Sequence, residues 1–312
     1  MKPVLVSGSL AFDRIMDFKG DFSEHFMPDK LHSINVSFFV TPPREQFGGC
    51  AGNITYSLSL LETASAVVAT AGSDFGPYEK HLKARGIATD AIAHRDDVPT
   101  SAFYVMTDQK GNQIGAFAGG STMHAYEKEL ALENYGLAIV SPNCKDDMVA
   151  LPEKFREAAL PYFFDPGQQL PVLSAEELRA AIEGAAGVFA NDYELALIAE
   201  KTGWAEADIA KRAGFLIVTL GAEGSRIITR SGEERVAALA AREVVDPTGA
   251  GDAFRAGFIA GFTRGAALPT CAKLGSAVAV HAVECYGTQN HTFTMAELKA
   301  RYESAYKESF PI

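Results

Sequence analysis

Apolar residues recur along the chain in two alternating rhythms. Short, largely apolar runs read as buried strands: Val4 to Ser7, Ala64 to Ala71, Leu137 to Val140, Tyr162 to Phe164, Gly187 to Ala190 and Ile217 to Leu220. Between them lie stretches with helical spacing. Ala51 to Leu61 is one, and Phe75 to Arg85, closed by Gly86, is another. Further helices are expected over about 151–159, after the Ser174–Glu177 capping box, after Asn191, over about 250–264 and 269–284, and from Thr294 to about 307. Strands alternating with helices predict an α/β fold: a mainly parallel sheet covered by helices on both faces.

A second pattern departs from this. Ile34, Val36, Phe38 and Val40 alternate with polar residues, which predicts a half-buried strand within His32 to Thr41. Ser101 to Thr107 and Gln113 to Phe117 read as a hairpin, and Ala11 to Asp17 is a strand that could leave the core. Segments 11–17, 34–41 and 101–118 are therefore expected to form a small separate sheet. Ser225 to Ile228 and Glu234 to Ala238 look antiparallel, and Val244-Val245 reads as a strand end.

The chemistry concentrates in Asp246-Pro-Thr-Gly249-Ala250-Gly251-Asp252. Here a loop turns into a helix, whose first amides lack intrahelical partners and carry the positive end of the dipole. Small residues let an anion approach, so Gly249, Ala250 and Gly251 are a candidate anion hole. Asp252 projects beside it as a candidate general base for phosphoryl transfer. The bland alternative is an acidic residue in a first helical turn. Gly48-Gly49-Cys50-Ala51-Gly52-Asn53 is a second close-approach loop at a helix start, with Asn53 able to donate and accept. Asp13 follows the first strand, where ligands of α/β sheets bind.

Composition changes little in this picture but removes alternatives. The chain has 312 residues, 21% charged, with a net charge of −11. An acidic surface argues against a nucleic-acid partner. Four dispersed cysteines argue against a disulfide framework or zinc site and for a reducing cytoplasm. No membrane span is expected. The P-loop and the dinucleotide G-x-G-x-x-G are both missing.

The stretch Asp246 to Phe258 resembles the C-terminal signature of the ribokinase-like (PfkB) carbohydrate and nucleoside kinases, and Gly48-Gly49-x-x-Gly52-Asn53 resembles their N-terminal one. The likeness runs from Gly8 to Gly287. It implies a single kinase domain over residues 1–312, with the small sheet as a lid over the substrate. It implies ATP and Mg²⁺ as cofactors, with K⁺ left open. Asn191-x-x-Glu194 would help hold Mg²⁺ through water, although the pair is also a near capping box. Thr219, Gly221, Gly224 and Gly287 fall in segments that resemble the ATP-binding turn and the stretch near adenine.

Cys50 stands where sugar kinases of the family usually carry Lys, which turns the reading away from ribose. Phe38, Phe103, Tyr104 and Phe117, with Met123, could wall a purine, and Gln168 and Gln169 could bond a base edge. Runs at Ser9-x-Ala11-x-Asp13, Leu31-His32-x-x-x-Val36-Ser37-Phe38 and Asp165 to Leu170 resemble the bacterial adenosine kinase branch. That resemblance implies transfer of the ATP γ-phosphoryl to the adenosine 5′-hydroxyl. Asp13, Asn53 and Gly49 would hold the ribose. Ser9, Ser37, Phe103, Phe117, Met123, Gln168 and Gln169 complete the expected substrate site. Ribokinase or another sugar or nucleoside kinase, and a ligand-sensing pseudokinase, are the alternatives. A homodimer through the lid is expected from the uncovered apolar face of the small sheet.

Overall fold

The computed structural model describes residues 1–30 and 33–312. The chain opens with β1 (Val4–Ser7), β2 (Ala11–Asp17), β3 (Arg44–Gly48) and α1 (Cys50–Leu60). Then come β4 (Ser65–Ala71), α2 (Gly76–Ala84), β5 (Ile92–His94) and the hairpin of β6 (Ser101–Thr107) and β7 (Gln113–Ala118). Strands and helices then alternate: β8 (Leu137–Val140), α3 (Lys145–Glu157), β9 (Tyr162–Phe164), α4 (Ala175–Ile182), β10 (Gly187–Asn191), α5 (Asp192–Thr202), α6 (Glu206–Arg212) and β11 (Phe215–Thr219). The hairpin β12 (Ser225–Thr229) and β13 (Gly232–Val236) precedes α7 (Ala250–Thr263), α8 (Leu268–Val283) and α9 (Met295–Tyr306).

Nine strands form one sheet in the order β13-β12-β11-β10-β9-β8-β1-β4-β5. It is parallel from β5 to β11, with β12 and β13 antiparallel at one edge. The apolar runs need two covered faces, and they have them. Val4, Val6, Ile139, Phe163, Phe189 and Ile217 pack with α1, α2, α7, α8 and α9. Leu5, Ala138, Val140, Tyr162, Phe164, Val188 and Leu216 pack with α3, α4, α5 and α6. On the first face α7 rests on α8 with almost nothing between them: a Cβ on Gly257 would lie 2.7 Å from Cα of Gly275.

The chain runs outward from β1 in both directions, to β4 and β5 on one side and to β8 through β11 on the other. Such a reversal leaves a crevice beyond the carboxyl ends of the strands. Over it stands a second sheet, in the order β3-β2-β6-β7.

The composition of this small sheet corrects the sequence expectation for 34–41. No strand forms there; residues 33–39 have no regular structure, and only Val40 makes a bridge, to Phe18. Leu31 and His32 lie outside the described residues. Phe38 joins an aromatic cluster, its ring 5.0 Å from those of both Phe18 and Phe22, while Phe39 is 96% exposed. Of the alternating residues Phe38 thus serves local aromatic packing and Val40 a single bridge, while Ile34 is exposed. The strand beside β2 is β3, whose sequence Arg-Glu-Gln-Phe-Gly carries no apolar alternation.

Smaller corrections follow the same logic. Val244 and Val245 are exposed and irregular, with the Val245 amide bonded to the Val283 carbonyl at 2.9 Å. Helix α3 starts at Lys145, because Asp146 and Asp147 favour a helix N-terminus instead of a loop. Among the described residues no helix is long and apolar enough to cross a membrane, and all four cysteines are free.

Candidate active site

Between the two sheets lies a cavity of about 770 Å³. The loops after the central strands wall it on one side: Ser9 after β1, Pro142 after β8, Asp165 and Gln168 after β9, and Asn191 and Thr219 at the ends of β10 and β11. The first turns of α1 and α7 supply Gly49, Cys50, Asn53, Gly249, Gly251 and Asp252. Asp13, Phe103 and Phe117 come from the small sheet, where Asp13 is paired with Phe103 and Phe103 with Phe117. Side chains paired directly across strands share a face, so this row forms one wall of the cavity.

The loop after β1 builds the start of α1. Ser9 Oγ accepts from the Cys50 amide at 3.2 Å, and its carbonyl accepts from the Ala51 amide at 3.1 Å. Gly49 caps this helix with φ 87°, a conformation that disfavours any side chain. At Gly52 a methyl group would clash with the Tyr78 hydroxyl. Asn53, the next residue, meets α7: its Nδ2 donates to Oδ2 of Asp252 at 2.8 Å.

At the start of α7, Gly249 is left-handed and caps the helix. The amides of Gly249, Gly251 and Asp252 make no hydrogen bond among the described residues, whereas that of Ala250 donates to the Pro247 carbonyl at 3.2 Å. The donors open to an anion are thus Gly249, Gly251 and Asp252, not three in the expected row. Burial raises the Asp252 carboxyl to about 6, against the Asn53 hydrogen bond and the Arg255 charge, which pull it down. Burial, then the carboxylates of Asp246 and Asp252, push Asp13 to about 7. Two carboxyl groups near neutrality in one cleft are a recognisable sign of a working site.

Asn191 caps α5, its Oδ1 accepting from the Glu194 amide at 2.7 Å while Glu194 Oε2 accepts from the Asn191 amide at 2.8 Å. Both residues line the cavity. Burial, then the Asp165 carboxylate, raises the Glu194 carboxyl. Gln169 donates to the Asn143 carbonyl at 2.8 Å, and Gln168 Nε2 lies 3.8 Å from Sγ of Cys50.

Several expected residues lie elsewhere. Ser37 is exposed in the irregular segment before β3, and Met123 is 73% exposed beside Thr122, which takes its place on the wall. Ala250, Gly221, Gly224 and Gly287 do not line the cavity either. Gly224, at φ 100°, closes the β11–β12 turn with its carbonyl accepting from the Leu220 amide at 2.8 Å, and a Cβ there would be 2.7 Å from the Ala238 amide. Gly287 donates from its amide to Asp246 Oδ2 at 3.0 Å, which ties two loops together.

Sequence reasoning missed Arg255 and Asp165. The guanidinium donates to both carboxylate oxygens at 2.5 and 2.6 Å, fully within the fold and on the cavity wall. Asp165 holds the arginine's charge firmly despite burial. A signal existed: Arg255 stands one turn after Asp252 in a helix otherwise of Ala, Gly, Phe and Ile up to its last residue, Thr263, and a buried cation demands a partner.

An α/β sheet with its crevice at the strand carboxyl ends, a helix N-terminus open to an anion and a carboxylate beside it define an enzyme built for transfer of a charged group. The chain belongs to the pfkB carbohydrate kinase family, whose model matches residues 21–294. It is similar to the nucleoside kinase of Burkholderia thailandensis, solved in complex with inosine: 39% identity, 98% of this chain and 99% of that one covered, TM-score 0.87. Among curated proteins it is 32% identical to the nucleoside kinase of Methanocaldococcus jannaschii, over 89% of this chain and 92% of that protein. It is 31% identical to that of Methanothermobacter thermautotrophicus, over 100% and 99%. The fold is ribokinase-like, and the protein is an ATP-dependent kinase with a hydroxyl group as acceptor.

Proposed function

We propose that the protein transfers the γ-phosphoryl group of ATP to the 5′-hydroxyl of a purine nucleoside, with adenosine as acceptor and AMP as product, a step of purine salvage. The observation that carries this reading is the placement of Asp252 at the start of α7, bonded to Asn53 and level with the free amides of Gly249 and Gly251. The carboxylate takes the proton of the attacking hydroxyl, and the amides receive the negative charge of the transferred group. Asp13 and Asn53 hold the ribose. Phe103 and Phe117 stack on the base, a contact a free sugar has no means to use. Gln168 and Gln169 face its edge from the opposite wall. The likeness to a kinase solved with inosine supports a nucleoside over a sugar.

Asn191 and Glu194 fit an outer role for Mg²⁺. Glu194 is a half-buried carboxylate on the wall with one oxygen spent on its cap. Mg²⁺ takes one or two carboxylates together with substrate phosphates and keeps several waters. Among the described residues no three His, Cys, Asp or Glu side chains form a cage, which suits an ion carried by the nucleotide. When bound it neutralises phosphate charge.

We further propose that all 312 residues act as one kinase unit and that the small sheet is its lid and joins two copies. Strand β7 is an exposed edge carrying Ile114, Ala116 and Phe117, and Ile34 and Phe39, before β3, are exposed as well. Light scattering at micromolar concentration should give twice the 33.3 kDa of one chain. Four free cysteines suit a cytoplasmic setting.

The deciding experiment is an acceptor screen with ATP and Mg²⁺, following ADP release with adenosine, inosine, guanosine, cytidine, ribose and fructose. Highest kcat/KM with adenosine is expected. A preference for ribose or fructose would overturn the nucleoside reading, and binding without turnover of any acceptor would favour a sensor.

A further inference from the structure

Behind Asp252, away from the cavity, a chain of polar groups runs through apolar packing. Asn53 Nδ2 donates to the carboxylate, and Asn53 Oδ1 accepts from Nε2 of Gln289 at 3.0 Å. Gln289 Nε2 also donates to the Tyr78 hydroxyl at 2.6 Å, and that hydroxyl donates to the Gly48 carbonyl at 2.7 Å. Gln289 Oε1 meets Nε2 of His81 at 3.1 Å. Asn53, Tyr78 and Gln289 are all buried, and Gln289 does not line the cavity.

The amide orientations in this cluster are mutually consistent. Both N–H groups of Gln289 are spent, so its oxygen accepts and His81 carries its proton on Nε2. The oxygen of Asn53 is held by Gln289, so its amino group alone can face Asp252. The neighbouring helix is shaped around this arrangement, because a methyl on Gly52 would meet the Tyr78 hydroxyl and would lie 2.9 Å from Gln289 Nε2.

We propose that Gln289 is a positioning residue: it pins the Asn53 amide so that a fixed N–H faces the carboxylate of Asp252. The proposal rests on the reading of Asp252 as the base. Through Asn53, Gln289 keeps the carboxylate ionised and aimed while touching neither acceptor nor phosphate. A charge-assisted hydrogen bond favours the ionised form. Around Asp252 stand Asp13 of β2, Cys50 of α1, Tyr78 of α2, Asp165 after β9 and Arg255 of α7. Of these only Tyr78 touches Gln289, and burial keeps its hydroxyl neutral with or without that bond.

The test compares Gln289→Met with Tyr78→Phe. Both remove hydrogen bonds from the same buried cluster, but only the first frees Asn53. Gln289→Met should lower kcat for the preferred nucleoside about tenfold, move the acid limb of the pH profile upward by about half a unit, and leave KM for ATP within about twofold. Tyr78→Phe should leave the acid limb in place. Equal behaviour of the two variants, or an unmoved limb in Gln289→Met, would overturn the proposal. Gln289→Asn, which keeps the amide but is too short to reach Asn53, should act like Gln289→Met and serves if that variant does not fold.

A second readout separates this proposal from the kinase reading. Carbon-13 titration of the Asp252 carboxyl, its resonance identified by Asp252→Asn, should show the same upward shift in Gln289→Met without any substrate. A wild type that phosphorylates no nucleoside would end the functional reading alone. An unmoved carboxyl titration would end the positioning role.

Discussion

Asn53 and Asp252, 199 positions apart, meet at 2.8 Å and join the first turn of α1 to the first turn of α7. The contact sets both the aim and the ionisation of the proposed base. Asp252→Asn keeps the shape and removes the basicity, so kcat should fall by about 10²–10⁴-fold with KM little changed. In the wild type kcat/KM should rise with pH through about 6 and then level, because the carboxylate must be ionised to accept the proton. Near-normal turnover in Asp252→Asn, measured by coupled ADP release, would refute the assignment.

Glu194 is expected to act through water on the nucleotide's metal. Glu194→Gln keeps an oxygen to accept the Asn191 amide, so helix α5 should stay capped. The Mg²⁺ concentration for half-maximal rate should rise several-fold. An unchanged Mg²⁺ titration would leave Glu194 a cap and nothing more.

Phe117 is 56% exposed and faces the cavity, an arrangement that suits a ring awaiting a base. Base–aromatic stacking is worth roughly 1–3 kcal/mol, or about five- to over a hundredfold in KM where KM reports binding. Phe117→Ala should therefore weaken adenosine strongly and ATP little, while ribose should be poor in the wild type and indifferent to the change. Equal losses for every acceptor would mean that the ring only packs the lid.

Asp13 offers a stability test that needs no substrate. Its carboxyl is raised from 3.8 to about 7, so the fold disfavours its ionised form. Stability from this group is full below the unfolded value and is lost as pH rises from about 4 through 7. Asp13→Asn should remove that loss and raise the melting temperature at pH 8 more than at pH 4, by about 2–4 °C for each kcal/mol recovered. Melting curves by circular dichroism at both pH values decide this; a uniform shift, or none, would count against a strained Asp13.

Some of the site is legible because it is local. Gly249 to Asp252 are consecutive, and a loop entering a helix dictates what their amides and carboxylate can do. The strands of the large sheet are legible because burial on both faces leaves unbroken apolar runs such as Leu137 to Val140. What stays hidden depends on contacts distant in sequence. Arg255 and Asp165 are 90 residues apart, and Gln289 acquires meaning only through Asn53, 236 positions away. Strand β3 carries no alternation because its pairing with β2 is made by backbone, while of the alternating residues at 34–40 Phe38 goes to the Phe18–Phe22 cluster and Ile34 to the surface.

The bare contact between Gly257 and Gly275 limits how this protein could be made hardier. Replacing a glycine inside a helix with alanine commonly gains about 0.5–1 kcal/mol, one of the simplest routes to heat resistance. Here the added methyl would meet backbone at 2.7 Å on either helix. It would lever α7 away from α8 and carry Asp252, five residues before Gly257, out of line with Asn53. The conformational entropy lost at these two glycines is therefore a standing charge on the fold, and selection for a hotter habitat would have to act on other parts of the chain.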